Sequence, residues 1–101
     1  MSKSVHSNRK RILQIQFERK AEKFFSKTNS SIDEINELII TAVKKLSRND
    51  VNIDLKQLKG ELKGYFRIRK NDLRIIFNVI EDENLIVVTV VNIDFRGNVY
   101  K

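Results

Sequence analysis

The chain has 101 residues, a net charge of +7 at neutral pH and no cysteine, and its only histidine is His6. This length suits one domain with a single core. The composition excludes disulfides, thiol catalysis, zinc sites built from His and Cys, and a Ser-His triad, and we expect neither a metal nor another cofactor. There is no apolar run long enough for a membrane helix and no signal-peptide pattern, so we expect a soluble, cytoplasmic protein.

The positive charge favours an anionic partner. An anionic membrane surface would require an amphipathic helix with a basic face, and the basic residues of this chain are not concentrated on one helix. We therefore expect no membrane partner. The phosphate backbone of RNA is the polyanion that we favour, and an acidic protein remains open as an alternative.

The N-terminal part of the sequence predicts a tail, a strand and a helix. Residues 1–10 are polar, serine-rich and basic, which predicts a flexible tail, and residues 11–101 are expected to form one domain. Apolar residues largely alternate over residues 12–17, a pattern typical of a strand. From residue 19 onwards the apolar spacing becomes helical, which predicts a short helix.

A second helix is predicted from a capping box at Ser31 and Glu34. In this motif the Ser31 hydroxyl accepts a hydrogen bond from the Glu34 amide, and the Glu34 side chain bonds back. An apolar stripe at helical spacing follows as far as Leu46. Residues 49–59 then form a predicted polar connection.

The C-terminal half predicts three antiparallel strands. The strands span residues 65–69, 73–80 and 85–91, and the turns between them, residues 70–72 and 81–84, are short and polar. The last strand is apolar throughout, so we expect it to be central and buried on both faces. The predicted fold class is α+β: an N-terminal strand, two helices, then a three-stranded meander with the helices packed on one face.

Three arginines are predicted to share one face of this meander. Arg67 and Arg69 are two residues apart, so they project from the same side of one strand. Arg74 follows the hairpin turn on the next strand and is expected near them. Arginine suits a phosphate ligand because its planar guanidinium grips two oxygens at once. Flanking lysines are predicted to add phosphate contacts: Lys59, Lys63 and Lys70.

The same arginines have a purely structural interpretation. Like charges on neighbouring strands are destabilising unless an anion lies among them. That anion can be a phosphate, or it can be a side-chain carboxylate on a solvated face, where ion pairs are common. The carboxylates that the sequence offers nearby are Glu61, Asp72 and Glu81.

Four short blocks follow one another from Leu58 to the end of the chain. They are Leu58-Lys59-Gly60, Gly64-Tyr65-Phe66-Arg67-Ile68-Arg69, Asp72-Leu73-Arg74-Ile75-Ile76-Phe77 and Arg96-Gly97-Asn98-Val99-Tyr100. In order and spacing they resemble the RelE/ParE-superfamily toxins of type II toxin–antitoxin systems. A weaker likeness extends to residues 12–25.

The resemblance implies a function and a set of site residues. RelE-type toxins cleave messenger RNA in the ribosomal decoding site by attack of a ribose 2′-oxygen on the adjacent phosphate, whereas ParE-type toxins act on DNA gyrase. Carried over by motif position, the phosphate would be bound by Arg67, Arg69, Arg74 and Arg96. Tyr100 would stack on a base or exchange a proton. The implied partners are an acidic cognate antitoxin and messenger RNA on the ribosome.

One departure from the family pattern keeps three functions open. Many members carry Gly-His before the arginine of the last block, where this chain has Ile93-Asp94-Phe95. The chain therefore lacks a histidine acid or base at that place. The alternatives to a RelE-like endoribonuclease are a ParE-like inhibitor of DNA gyrase and a catalytically inactive relative that binds RNA.

Overall fold

In the computed structural model, which describes residues 11–95, five strands and two helices form one α+β unit. The elements, in chain order, are β1 (Ile12–Phe17), α1 (Arg19–Lys27), α2 (Ile32–Leu46), β2 (Asp54–Gln57), a 3-10 turn (Gly60–Leu62), β3 (Tyr65–Lys70), β4 (Leu73–Glu81) and β5 (Leu85–Phe95). The predicted tail at residues 1–10 lies outside the described residues. Of the two helices in the described part, neither has the length and apolar character that a membrane crossing requires.

The strands form a single mixed sheet in the order β1-β5-β4-β3-β2. The meander has four antiparallel strands, so the prediction of three was wrong by one: β2 lies inside the predicted polar connection and pairs with β3. β1 runs parallel to β5, with Ile12 opposite Leu85 and Phe17 opposite Val90. The first and last strands are therefore neighbours in one sheet although about seventy residues separate β1 from β5.

The hydrophobic core lies between one face of the sheet and the two helices. Alternation places every second residue of each strand on that face, and α1 packs against β5. The buried cluster combines residues of both helices and three strands: Ala21, Phe24, Ile35, Ile39, Ala42, Ile68, Ile75, Phe77, Ile86, Val88, Val90 and Ile93. Leu13, Ile15 and Phe17 of β1 and Leu55 of β2 pack against it.

β5 does lie between two strands, but it is not buried on both faces as predicted. Its residues alternate between buried and half-buried over most of its length. The apolar run of this strand therefore reflects one core face and one half-covered face, which carries Leu85, Val87 and Thr89.

A β-bulge in β5 changes which residues face the core. Ile76 pairs with Asn92 and Phe77 pairs with Val90, which leaves Val91 without a partner on β4. Because of this extra residue, Val90 and Ile93 are both in the core cluster. A bulge re-aims the residues that follow it, and here it turns Asn92 and Asp94 to the face away from the helices.

The second helix begins where the sequence predicted, with a different hydrogen bond. Ser31 is the N-cap, and its hydroxyl oxygen accepts from the Asp33 amide at 3.0 Å instead of from the predicted Glu34 amide. Asp33 and Glu34 lie in the first turn and Lys44 and Lys45 in the last, charges that suit the helix dipole.

Candidate nucleic-acid interface

The face of the sheet opposite the helices carries the three predicted arginines, and we call it the arginine face. Phe66 and Ile68 of β3 pack toward the core, so Arg67 and Arg69 project to the other side. Arg69 lies directly opposite Arg74 of β4 in the sheet register. The structure therefore brings the three guanidinium groups together on two adjacent strands.

A row of four charges crosses the sheet at this point. Asp54 of β2 is opposite Arg69, Arg69 is opposite Arg74, and Arg74 is opposite Asp94 of β5. Two adjacent arginines repel each other, and a carboxylate at each end of the row offsets this repulsion. Asp94 has its place in the row because the bulge at Val91 shifts the alternation of β5.

One carboxylate of this row holds two arginines. Arg67 Nη2 donates to Asp54 Oδ1 at 2.8 Å, and Arg69 Nε forms an ion pair with Asp54 Oδ2 at 3.0 Å. The ion-pair interpretation is therefore correct for these two arginines, but the partner is not one of the three carboxylates that the sequence suggested. Glu81, one of those three, pairs with Arg11 at 3.2 Å.

Arg74 differs from the other two arginines. Its Nη1 donates to the backbone carbonyl of Asn71 at 3.3 Å, and within residues 11–95 it has no ion pair. Its register neighbour Asp94 uses Oδ1 to accept from the Phe95 amide at 2.8 Å. Arg74 is thus the predicted phosphate ligand whose guanidinium no described carboxylate neutralises.

Two further rows of the arginine face contain residues that the sequence did not single out. The first places Lys56 of β2 beside Arg67, followed by Ile76 and Asn92. The second contains Tyr65, Asn78, Thr89 and Gln16. Lys56 adds a cation and Tyr65 adds an aromatic ring two residues from Arg67. The signal for Lys56 was the alternation of Asp54 and Lys56 around Leu55, which is too short to predict a strand by itself.

The three predicted lysines occupy two different places in the fold. Lys59 and Lys63 are exposed and flank the 3-10 turn between β2 and β3. Lys70 follows Arg69 on β3, so it projects to the opposite face of the sheet, near its edge. There it borders a cavity of about 600 Å³ with Glu34 and Glu37 of α2.

Two glycines form the loop that leads into β3. Gly60 has a φ of +68° and Gly64 a φ of +96°, and both values lie where residues with a Cβ are rarely found. The Leu58 amide donates to the Tyr65 carbonyl at 2.9 Å and closes this loop. The glycines therefore explain two of the sequence blocks physically, because they deliver Tyr65 and Arg67 to the sheet in the required register.

The arginine face also has an apolar end, formed by Ile12, Ile80, Leu85 and Val87. Ile12 is 70% exposed and Ile80 is 67% exposed. They lie near each other through the pairs of Ile12 with Leu85 and of Ile80 with Val87. Large apolar side chains left exposed beside a charged region are typical of a surface that meets a partner.

Two of the predicted site residues, Arg96 and Tyr100, lie outside the described residues. Their proposed roles remain predictions. The arginine face over residues 54–94 carries the rest of the arrangement: three arginines, Lys56 and Tyr65.

The fold is shared with solved structures of RelE- and YoeB/ParE-type toxins, as the resemblance of the sequence blocks predicted. The chain is similar to a YoeB/ParE toxin from Agrobacterium tumefaciens, with a TM-score of 0.60 at 15% identity over 82% of this chain and 98% of that one. It is similar to the RelB–RelE antitoxin–toxin complex from Methanococcus jannaschii, with a TM-score of 0.55 at 21% identity over 84% and 94%. A third similar structure is the heterotetrameric YoeB–YefM toxin–antitoxin complex from Staphylococcus aureus, with a TM-score of 0.56 at 18% identity over 84% and 98%. No model of a protein family matches the sequence, and no curated protein is significantly similar to it.

Proposed function

We propose that this protein is the toxin of a toxin–antitoxin system and acts in the cytoplasm as a ribosome-dependent endoribonuclease. The observation that carries the proposal is the convergence of Arg67, Arg69 and Arg74 on one sheet face, with Arg74 unpaired among the described residues. The fold supports the class of protein, and the arginine face supports a phosphate ligand.

The reaction is an internal phosphoryl transfer within RNA. The ribose 2′-oxygen bonds to the adjacent phosphorus while the bond from phosphorus to the 5′-oxygen breaks, which leaves a cyclic phosphate and a 5′-hydroxyl. The 2′-hydroxyl proton leaves to a base and a proton reaches the 5′-oxygen. Negative charge accumulates on the equatorial oxygens in the transition state, where fixed cations have their largest effect.

The described residues have distinct roles in this proposal. Arg74 takes one of the equatorial oxygens, and Arg69 lies opposite it across the strand pair to take another. Arg67 and Lys56 extend the positive charge along the RNA backbone, together with Lys59 and Lys63 at the loop. Tyr65 offers a ring for a base to stack on. Arg96 and Tyr100 complete the proposed set, with Tyr100 as the group that exchanges a proton.

We also propose an acidic antitoxin as the partner. Two of the similar structures are complexes of a toxin with its antitoxin. A net charge of +7 favours an acidic partner. The arginine face combines cations with the exposed apolar end at Ile12 and Ile80, so a segment with acidic and apolar residues would complement both.

Induced expression in a bacterium, followed by primer extension on abundant messages, tests the proposed activity. New cuts inside translated regions are expected with the parent protein and not with Arg74→Ala. Arg19→Ala, at the exposed start of α1, removes the same charge away from the arginine face and should cut like the parent.

The other outcomes separate the alternatives. Blocked growth with intact messages would favour the gyrase inhibitor, because that target does not involve RNA cleavage. Normal growth with intact messages, together with oligonucleotide binding, would leave an inactive RNA-binding relative. Cuts that persist in Arg74→Ala would contradict the site.

A further inference from the structure

The carboxylate of Asp54 lies against two of the guanidinium groups that are proposed to bind RNA phosphate. Both of its oxygens contact guanidinium groups: Oδ1 lies 2.8 Å from Arg67 Nη2, and Oδ2 lies 3.0 Å from Arg69 Nε. A phosphodiester presents two charged oxygens to the same kind of donor. Asp54 therefore acts as an internal anion that contacts one guanidinium nitrogen of each of two of the three arginines.

The contact of Asp54 with Arg67 is incomplete, which favours replacement of the carboxylate by a ligand with better geometry. The Arg67 side chain is 14% exposed, and its Nε is a buried donor without a hydrogen-bond partner. An unmet buried donor is destabilising because it has lost its hydrogen bonds to water without gaining another. A ligand that reached both Nε and Nη2 would form the two-bond fork that arginine prefers with phosphate, whereas Asp54 meets only Nη2.

The Asp54 side chain is exposed enough to move away from the two arginines. Its side chain is 44% exposed and that of Arg69 is 51% exposed. Both residues border the cavity of about 600 Å³ between α2 and the end of β3. Because both side chains are about half exposed, either one can turn toward solvent and away from the other.

We infer that Asp54 is a specificity-determining residue that competes with RNA phosphate for Arg67 and Arg69 and so makes free single-stranded RNA a weak ligand. The inference rests on the proposed function, since it assumes that the arginine face binds RNA. RNA held in place on a larger particle arrives at a high effective concentration and displaces the carboxylate, whereas free RNA must compete with it in solution. Arg74, which has no described ion pair, makes the first contact.

Fluorescence anisotropy of a labelled oligoribonucleotide tests the inference with the full-length protein. Asp54→Asn removes the charge and keeps the shape. We expect this variant to bind the oligonucleotide about three- to tenfold tighter than the parent, because two partly exposed ion pairs no longer compete with the RNA. Between about 50 mM and about 200 mM salt, the affinity of Asp54→Asn should also fall more steeply than that of the parent, because one more RNA phosphate is neutralised and releases its counterions. Asp54→Glu restores the carboxylate and should return both quantities toward the parent values.

The controls separate this competition from a general charge effect and from the proposed function. Glu22→Gln removes one negative charge from an exposed position on α1, on the helix side of the sheet, and should leave binding nearly unchanged. If Asp54→Asn matches Glu22→Gln in affinity and salt dependence, the inference is wrong. Arg74→Ala tests the arginine face separately: unchanged binding in that variant would contradict the proposed RNA site whatever Asp54→Asn does. Circular dichroism checks the fold, and Asp54→Ser is a second carboxylate-free variant with the same expected direction.

Discussion

Arg69 and Arg74 illustrate how a site can be assembled from residues that repel each other. They lie directly opposite on neighbouring strands, and like charges in that position are destabilising. Asp54 and Asp94 at the ends of the row reduce the cost in the absence of a ligand. A bound phosphate would take over that function, so the charges that destabilise the free sheet are the ones that favour the ligand.

Tyr65 is expected to contribute to binding through its ring. It is half-buried on the arginine face, two residues from Arg67. Stacking of a base on an aromatic side chain contributes about 1–3 kcal/mol, so Tyr65→Ala should weaken oligonucleotide binding by about 5- to 150-fold. The change is measured by anisotropy at low salt.

Tyr65→Phe is the matched control, because it keeps the ring and removes only the hydroxyl. Its affinity should stay near that of the parent. Equal losses in both variants would assign the effect to the hydroxyl instead of to stacking. Parental affinity in Tyr65→Ala would place the base elsewhere.

The loop before β3 is the element on which the register of the arginine face depends. A Cβ added at Gly64 would meet nothing within 4 Å, so the cost of a larger residue there comes from the φ of +96° and not from a clash. We expect Gly64→Ala to lower the free energy of unfolding by about 1–3 kcal/mol, measured by urea denaturation.

Gly60 provides the comparison. Its φ of +68° lies in the left-handed region that asparagine tolerates, as Asn71 does in this chain at +56°. Gly60→Asn should therefore cost less than about 1 kcal/mol. A larger loss in Gly60→Asn than in Gly64→Ala would mean that the backbone angles do not control the stability of this loop.

The hairpin of β3 and β4 could be predicted from the sequence because its information is local. Alternation has a period of two, and the short turn at residues 71–72 fixes which residues face each other. The sequence therefore predicts that Arg67, Arg69 and Arg74 share one face. The capping residue Ser31 was also predictable, because its signal lies within four residues.

The remainder of the site depends on information that is not local. β2 has four residues and a single apolar one, Leu55, so its pattern alone does not distinguish a strand from a loop. Missing β2 meant missing Asp54 and Lys56. The bulge at Val91 lies in an apolar run whose residues suit either face, so the sequence did not show that Asp94 would lie beside Arg74. The parallel pairing of β1 with β5 joins distant segments and has no local signature.

At the scale of the whole molecule, a net charge of +7 has opposite effects on folding and on binding. Self-repulsion destabilises the compact state, and salt screens it. Salt also weakens the attraction between the protein and RNA, because releasing counterions into a more concentrated salt solution is less favourable. The same ion concentration should therefore stabilise the free protein and weaken its complex.

The effect of salt on the free protein and its effect on the complex should therefore have opposite signs. Thermal unfolding with and without an oligoribonucleotide measures both. Raising salt from about 50 mM to about 200 mM should increase the Tm of the free protein. If three phosphates are neutralised, the same change weakens binding roughly 20-fold. An oligonucleotide that stabilises the protein by about 2.7 kcal/mol at the lower salt should then stabilise it by only about 1 kcal/mol at the higher.

Arg74→Ala should show a smaller stabilisation at low salt, with the effect of salt on the free protein retained. A stabilisation by the oligonucleotide that did not change with salt would mean that phosphate contacts on the arginine face do not drive binding.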